Sequence, residues 1–346
     1  MMLPLRAWPR TRLLALLLGA AVCTVLVSTA LGPVHIPIPE VFRVLAKWAL
    51  DLFGDSAPDK ADAARMIVLQ LRLPRVLLAA LVGAGLATAG GVMQGLFRNP
   101  MASPYVIGIS SGASFGAAVA MLLFSLFLWV PLLAFAAGVV TVFLVYRISR
   151  QGREIVMETL LLSGIAVGLF FSAATSLLMY VRSESLHFLV FWIMGGFSGR
   201  SWNHVLSAAP VICAGVPLMC LLARELNVLQ LGEDTASHLG INVEHLKTGT
   251  LILASLVTAA AVSVSGVIGF VGLIIPHITR LIVGPDHRVL LPASALVGAV
   301  FLVWCDNVAR TLIAPTELPV GVITAFCGAP FFIYLLRKRL TSRLSG

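Results

Sequence analysis

The chain has 346 residues, 59% of them apolar and 11% charged, where an ordinary soluble domain carries roughly 25% charged residues. That composition excludes a water-soluble globule, a disordered chain and a disulfide scaffold together. The 24 Lys and Arg against 15 Asp and Glu leave a formal charge of +9, which in so apolar a chain is first a signal of membrane topology rather than of nucleic-acid binding.

A bilayer core takes ~20 apolar residues per helical crossing, and apolar runs recur from Leu13 to Leu336 with short polar breaks. Bounded by charges, prolines and glycine clusters, these runs predict helices near 12–31, 75–97, 104–125, 131–146, 155–181, 203–223, 246–267, 269–283, 289–313 and 318–336. The expected fold class is all-α: a polytopic membrane protein of about ten transmembrane helices, one domain over 1–346. The stretch Met101–Tyr146 holds 46 residues without Asp, Glu, Lys, Arg or His. It is too long for one crossing and should fold back around Trp129-Val130-Pro131. Spans seven and eight are the least defined, because Gly266, Gly269 and Gly272 crowd their junction. An alternative for the first span is a cleaved signal peptide with Arg6 to Arg12 as its charged start, although Leu13 to Ala30 is long for an apolar signal region.

Lys and Arg are retained on the cytoplasmic side of short loops. With the N-terminus inside, 15 of the 24 basic residues fall in inner segments, among them Arg6, Arg10, Arg98, Arg153, Lys247 and Arg343. Both termini are therefore expected in the cytoplasm, with 32–74, which carries Glu40, Asp51, Asp55, Asp59 and Asp62, as a periplasmic segment.

Ion-coupled carriers place titratable groups at mid-membrane, yet 76–97, 101–146, 160–181, 248–275 and 318–336 hold none. A proton-coupled carrier is the weaker alternative, and an intramembrane enzyme weaker still: His277 and Asp306 lie well inside spans but on different helices, without a matched catalytic motif. Of four lysines, the one followed by Thr, Lys247, is preceded by Leu246 rather than Gly, so no phosphate-cradling loop is present and any nucleotide energy must come from a partner. Cys23, Cys213, Cys220, Cys305 and Cys327 lie in apolar spans without a C-x-x-C spacing and read as small buried hydrophobes, with no metal site. Small residues four apart allow helices to approach closely in lipid. Gly91 and Gly95, Gly108, Gly112 and Gly116, and Gly164 and Gly168 supply that spacing in spans two, three and five.

Four ordered blocks carry a resemblance. Leu71-Arg72-Leu73-Pro74-Arg75, GVMQGLFRNPMASPYVIGISSGAS from Gly91 to Ser114, GVIGFVGLIIPHITRLIVGPDHRVLLP from Gly266 to Pro292, and ELPVGVITAFCGAPFFIYLL from Glu317 to Leu336 together resemble the permease subunits of bacterial ABC importers for iron-siderophores, haem and cobalamin. The resemblance implies a type II importer permease fold in the inner (cytoplasmic) membrane and a homodimer around a central path lined by spans five and ten. It also implies two ATP-binding cassette subunits that hold the ATP and Mg, and a periplasmic substrate-binding protein. The chain itself would carry no cofactor, catalytic residue or nucleic-acid site.

Three sites follow from the same resemblance. Within 229–245, the stretch Leu231, Gly232, Glu233, Asp234, Thr235, Ala236, Ser237, His238, Leu239 and Gly240 looks like paired short coupling helices that sit in a cleft of the ATPase, with Asp234 or Thr235 capping the second. Arg72, Arg75 and Arg310, on the outer face, are similar to docking points for acidic residues of the binding protein. Met157, Glu158 and Thr159 fall at the cytoplasmic gate, where cobalamin permeases carry small hydroxyl residues.

Overall fold

A computed structural model describes residues 10–32, 34, 36–51, 63–124, 127–152, 154–182 and 186–344, and each of the ten expected spans contains a helix. Arg6, Arg153, Asp55, Asp59 and Asp62 lie outside the described residues, as does the part of the signal-peptide start that precedes Arg10. After α1 (Arg10–Ala30) comes α2 (Ile38–Asp51), a helix within 32–74 that a search for membrane spans passes over. Its Val41, Val44, Leu45 and Trp48 follow the spacing of one helical face. That face packs on Val68, Leu69 and Leu73, with Trp48 stacked on Trp202 at 6.4 Å between ring centroids.

Next, α3 (Ala63–Met66), a π-helical stretch over Ile67–Arg72 and α4 (Leu73–Leu96) run on as one rod. Helix α5 (Ile109–Ala118) begins five residues later than the apolar run, because Pro104–Ile107 forms a tight 3-10 turn and Gly108 takes a left-handed φ of 81°. The chain folds back before α6 (Val130–Ser149), whose first turn holds Pro131, where a missing N–H loses no bond. A short hairpin, β1 (Arg150–Gln151) and β2 (Glu154–Ile155), leads into α7 (Met157–Val181). There follow α8 (Leu186–Met194), a second helix absent from the sequence reading, then α9 (Trp202–Leu221), α10 (Ala223–Leu229) and α11 (Glu233–His238). The chain closes with α12 (Val243–Ser265), α13 (Val271–Val283), α14 (His287–Thr311) and α15 (Val320–Leu344).

The rod that ends in α4 is the hub. In its most apolar window 78% of residues are buried and in that of α12 72%, against 28% for α1, α7 and α9, so α4 and α12 are inner helices and those three form the rim. It packs against α14, α12, α13, α9 and α1. Lipid is as apolar as leucine, so this association depends on how closely the backbones approach. A Cβ added at Gly83 would strike the Gly298 carbonyl of α14, and one at Gly90 the backbone of Gly272 in α13. The glycines singled out by spacing sit in related contacts: Gly91 against Leu291, Gly95 against His287, Gly112 against Thr141, Gly116 against the Leu133 backbone, and Gly164 against Val106 and Ile107. Gly108 faces the Gly164 carbonyl, whereas Gly168 has ordinary clearance of 3.6 Å from Gly108.

The crowded glycines between spans seven and eight mark a break. Helix α12 ends at Ser265, Gly266 and Phe270 take left-handed φ values of 69° and 67°, and α13 has 13 residues, about 20 Å at ~1.5 Å per residue. Irregular backbone inside a membrane protein needs protein partners. Tyr105 Oη donates to the Ile268 carbonyl at 2.8 Å, the Gly196 N–H to Ser265 at 2.7 Å, and Gln94 Nε2 to Leu273 at 2.9 Å.

The α4 contacts give a direct test. Gly90→Ala places a methyl against backbone that no side-chain rotation can clear, and overpacking of this kind costs ~1–3 kcal/mol. Thermal unfolding in detergent should show a lowered Tm. Gly249→Ala in α12, with no neighbour within 4 Å of the added methyl, should leave Tm unchanged or slightly raised.

Candidate functional site

One end of the bundle collects the expected coupling and gate residues. The coupling stretch holds one short helix, α11, rather than two; its short neighbour, α10, ends at Leu229, where the stretch begins. The expected cap is also corrected: Asp234 and Thr235 lie inside α11, while Gly232, at φ 118°, is the N-cap and offers no side-chain acceptor. Ala236 is the one buried residue of α11. Leu231 and Leu239, at the two ends, are 66% and 62% exposed, so the helix projects with a leucine at each end.

The first turn of α7 lies beside it. Met157 and Thr159 are half-buried and Glu158 is exposed. Met157 and Glu158 border an open cleft of about 770 Å³ whose lining includes Glu233, Asp234, Ser237, Glu244 and Lys247. Lys247 is 5% exposed, and its Nζ donates to Glu233 Oε2 at 2.7 Å and Glu244 Oε1 at 2.9 Å. The other oxygen of Glu244 accepts the Ile155 N–H at 2.8 Å. Arg98, just past α4, approaches Glu233 at 3.9 Å on the exposed rim from a left-handed φ of 48°, a position usually filled by Gly. Behind α11, Gln230 Nε2 donates to the Gly95 carbonyl at 2.8 Å, and Asn227 Nδ2 to Asp286 Oδ1 at 2.7 Å. Asp286 caps α14 through the Arg288 N–H. Partial burial alone would raise its carboxyl, but that N–H, Asn227 and the charges of Arg10 and Arg288 hold it below the ordinary value. Lys247, Glu244 and Arg98 were absent from the site as read in sequence; the three-residue step from Glu244 to Lys247 on one helix face is the signal that could have found the first pair.

At the opposite end the three arginines face inward. Arg72 is 5% exposed and its guanidinium donates to the Thr29, Ala30 and Val34 carbonyls. Arg75 grips Asp306 through Nε and Nη2 at 2.8–3.1 Å and Glu317 through Nη1 at 2.8 and 3.0 Å. Arg310, 2% exposed, donates to Ser28 at its carbonyl and hydroxyl and to Asn307. Partial burial would raise the Glu317 carboxyl, yet the hydrogen bond and charge of Arg75 keep it below its ordinary 4.5. The three guanidiniums expected at a docking face thus each engage acceptors of this same chain, as desolvated cations must.

Among the described residues, seven helices are long and apolar enough to cross a bilayer, with three shorter apolar helices beside them, the build of a multi-pass membrane protein. The FecCD transport family matches residues 18–338, and the chain belongs to that family. It is 50% identical over 279 residues, 80% of this chain and 75% of the other, to the cobalamin import system permease protein BtuC of Halobacterium salinarum. It is 43% identical over 291 residues, 82% of this chain and 86% of the other, to the hemin transport system permease protein HmuU of Yersinia pestis. Among solved structures, an inward-facing conformation of a candidate metal-chelate type ABC transporter superposes with a TM-score of 0.82 at 35% identity, covering 95% of this chain and 99% of that one. The chain is thus an ABC transporter permease of type II importer fold, a transporter rather than an enzyme. The proton-coupled alternative is not supported, since the family and the relatives are permeases of ABC importers.

Arg75 discriminates an internal role from docking. Asp306 is 1% exposed, and removing one partner of a buried ion pair costs ~3–5 kcal/mol. Arg75→Met should therefore lower Tm strongly, and Asp306→Asn on top of it should recover part of the loss. Unchanged Tm with weakened binding-protein affinity would instead return Arg75 to the docking surface.

Proposed function

We propose that the chain is one half of a homodimeric pore importing a large chelate, an iron complex such as a ferric siderophore or haem, or a corrinoid. ATP and Mg are bound in two separate ATP-binding cassette subunits. A periplasmic binding protein delivers the cargo. The cargo class follows the names of the relatives, and a path poor in titratable groups is suited to a bulky complex rather than a bare ion. The membrane is the bacterial inner membrane, with the α11 end and both termini in the cytoplasm. Arg98, Lys247 and Arg10, all at that end, support this orientation by the basic-residue bias.

The observation that carries the reading is the projection of α11. A helix with one buried residue and a mostly exposed leucine at each end is poorly suited to water and well suited to a cleft in a partner. Helices α7 and α15 line the path and meet the second copy; the exposed Leu162, Leu169 and Phe326 supply an apolar surface for that. The binding protein docks at the α2 end, on a rim that Arg72, Arg75 and Arg310 hold in shape from within. Met157, Glu158 and Thr159 form the inner gate.

Leu231→Asp with Leu239→Asp tests the coupling assignment. Both side chains are exposed, so the permease should keep its Tm, while loss of apolar anchors worth ~2 kcal/mol each should abolish co-purification of the ATPase and transport in proteoliposomes. Retained co-purification with normal transport would remove the assignment. At the gate, Glu158→Gln deletes a charge at nearly constant shape. A changed ratio of ATP hydrolysed to cargo moved is expected, and an unchanged ratio would leave Glu158 as a helix N-terminal acid favoured by the dipole.

A further inference from the structure

The α11 end contains a polar chain that starts at Glu233 of the coupling stretch and runs on through Lys247 and Glu244, which the coupling and gate assignments do not use. From the first residue of α11 it passes through Glu233 Oε2 to Lys247 Nζ at 2.7 Å, from Nζ to Glu244 Oε1 at 2.9 Å, and from Glu244 Oε2 to the Ile155 N–H at 2.8 Å. Ile155 is 4% exposed and lies two residues before Met157, in the strand that feeds α7. Its neighbour Val156 is the N-cap of α7, and its N–H donates to the Ser149 carbonyl at 3.3 Å. From these contacts, and resting on the reading of α11 as the ATPase contact, we infer that Lys247 is a positioning residue that carries displacement of α11 to the α7 gate, with Glu244 as its second arm.

The residue types suit the task. Lys offers a compact charge with three donors, two of which engage acids from different segments. Burial of the cation strengthens both bonds relative to water. The arms differ in what they hold: Glu233 ties Lys247 to α11, whereas Glu244 spends one oxygen on Lys247 and the other on backbone of the gate hairpin. Arg98 reaches Glu233 at 3.9 Å in an exposed setting, where ion pairs contribute little, so the buried arm dominates. Cutting at Glu244 should leave α11 seated while disconnecting the gate, and cutting at Lys247 should disconnect both.

The test uses the permease with its ATPase in proteoliposomes, with Cys23, Cys213, Cys220, Cys305 and Cys327 replaced by Ala and a reporter introduced as Met157→Cys. The rate of maleimide labelling is read without nucleotide and with ATP and vanadate. With Lys247 and Glu244 intact, the rate should change several-fold between the two states. Glu244→Ala and Lys247→Met should each remove the nucleotide dependence, Glu244→Ala with ATPase association and hydrolysis retained; Lys247→Arg should restore it. If labelling in Glu244→Ala and Lys247→Met responds to nucleotide as in the parent, the inference is wrong. If the parent with both residues intact fails to respond or to bind the ATPase, the functional reading itself falls and takes the inference with it.

Discussion

Without water in the bilayer core, each polar group must find its partner within the protein, and the arrangement of this molecule depends on that constraint. It selects helices, and it explains why the irregular passage Gly266 to Phe270 and the helix ends beside it are met by donors from Tyr105, Gly196 and Gln94. It also explains why the arginines at the α2 end are spent internally. A guanidinium carried on a helix that packs at the hub either reaches water or collects acceptors, and Arg72 and Arg310 collect carbonyls while Arg75 collects carboxylates.

The hub itself rests on the absence of side chains. Gly83 and Gly90 bring α4 against the backbones of α14 and α13, and that proximity places Gly95 and Arg98 at the end where α11 projects. Gln230 on Gly95, and Asn227 on the cap of α14, then fasten the segment leading into α11 to two helices of the core. The consequence is an end that is rigid behind α11 and exposed in front of it, an arrangement suited to transmitting force from a docked partner.

The two ends differ in chemistry as well as in role. At the α2 end the Arg75–Asp306 pair is nearly sealed, with Asp306 1% and Arg75 12% exposed, and Glu317 at 28% is its one open member. At the α11 end a buried lysine is flanked by acids that remain 29–39% exposed. A sealed pair favours one arrangement, whereas acids with access to water can exchange partners at lower cost. Stability is thus concentrated at the first end and adaptability at the second.

The number of apolar helices was legible in the sequence, because a ~20-residue apolar run is a local pattern set by bilayer thickness. The four motif blocks likewise marked the family, since residue identity in order is itself sequence information. Helices α2 and α8 escaped notice because neither is a membrane span: α2 is amphipathic and α8 has nine residues. Partnership was decided by the fold. Arg75 meets Asp306 across 231 residues and Glu317 across 242, and Ile155 meets Glu244 across 89. No local pattern connects positions so far apart; helix packing brings them within hydrogen-bonding reach, and so turns arginines that read as surface features into internal ties and a lysine that read only as a cytoplasmic-side charge into the junction between α11 and the strand that feeds α7.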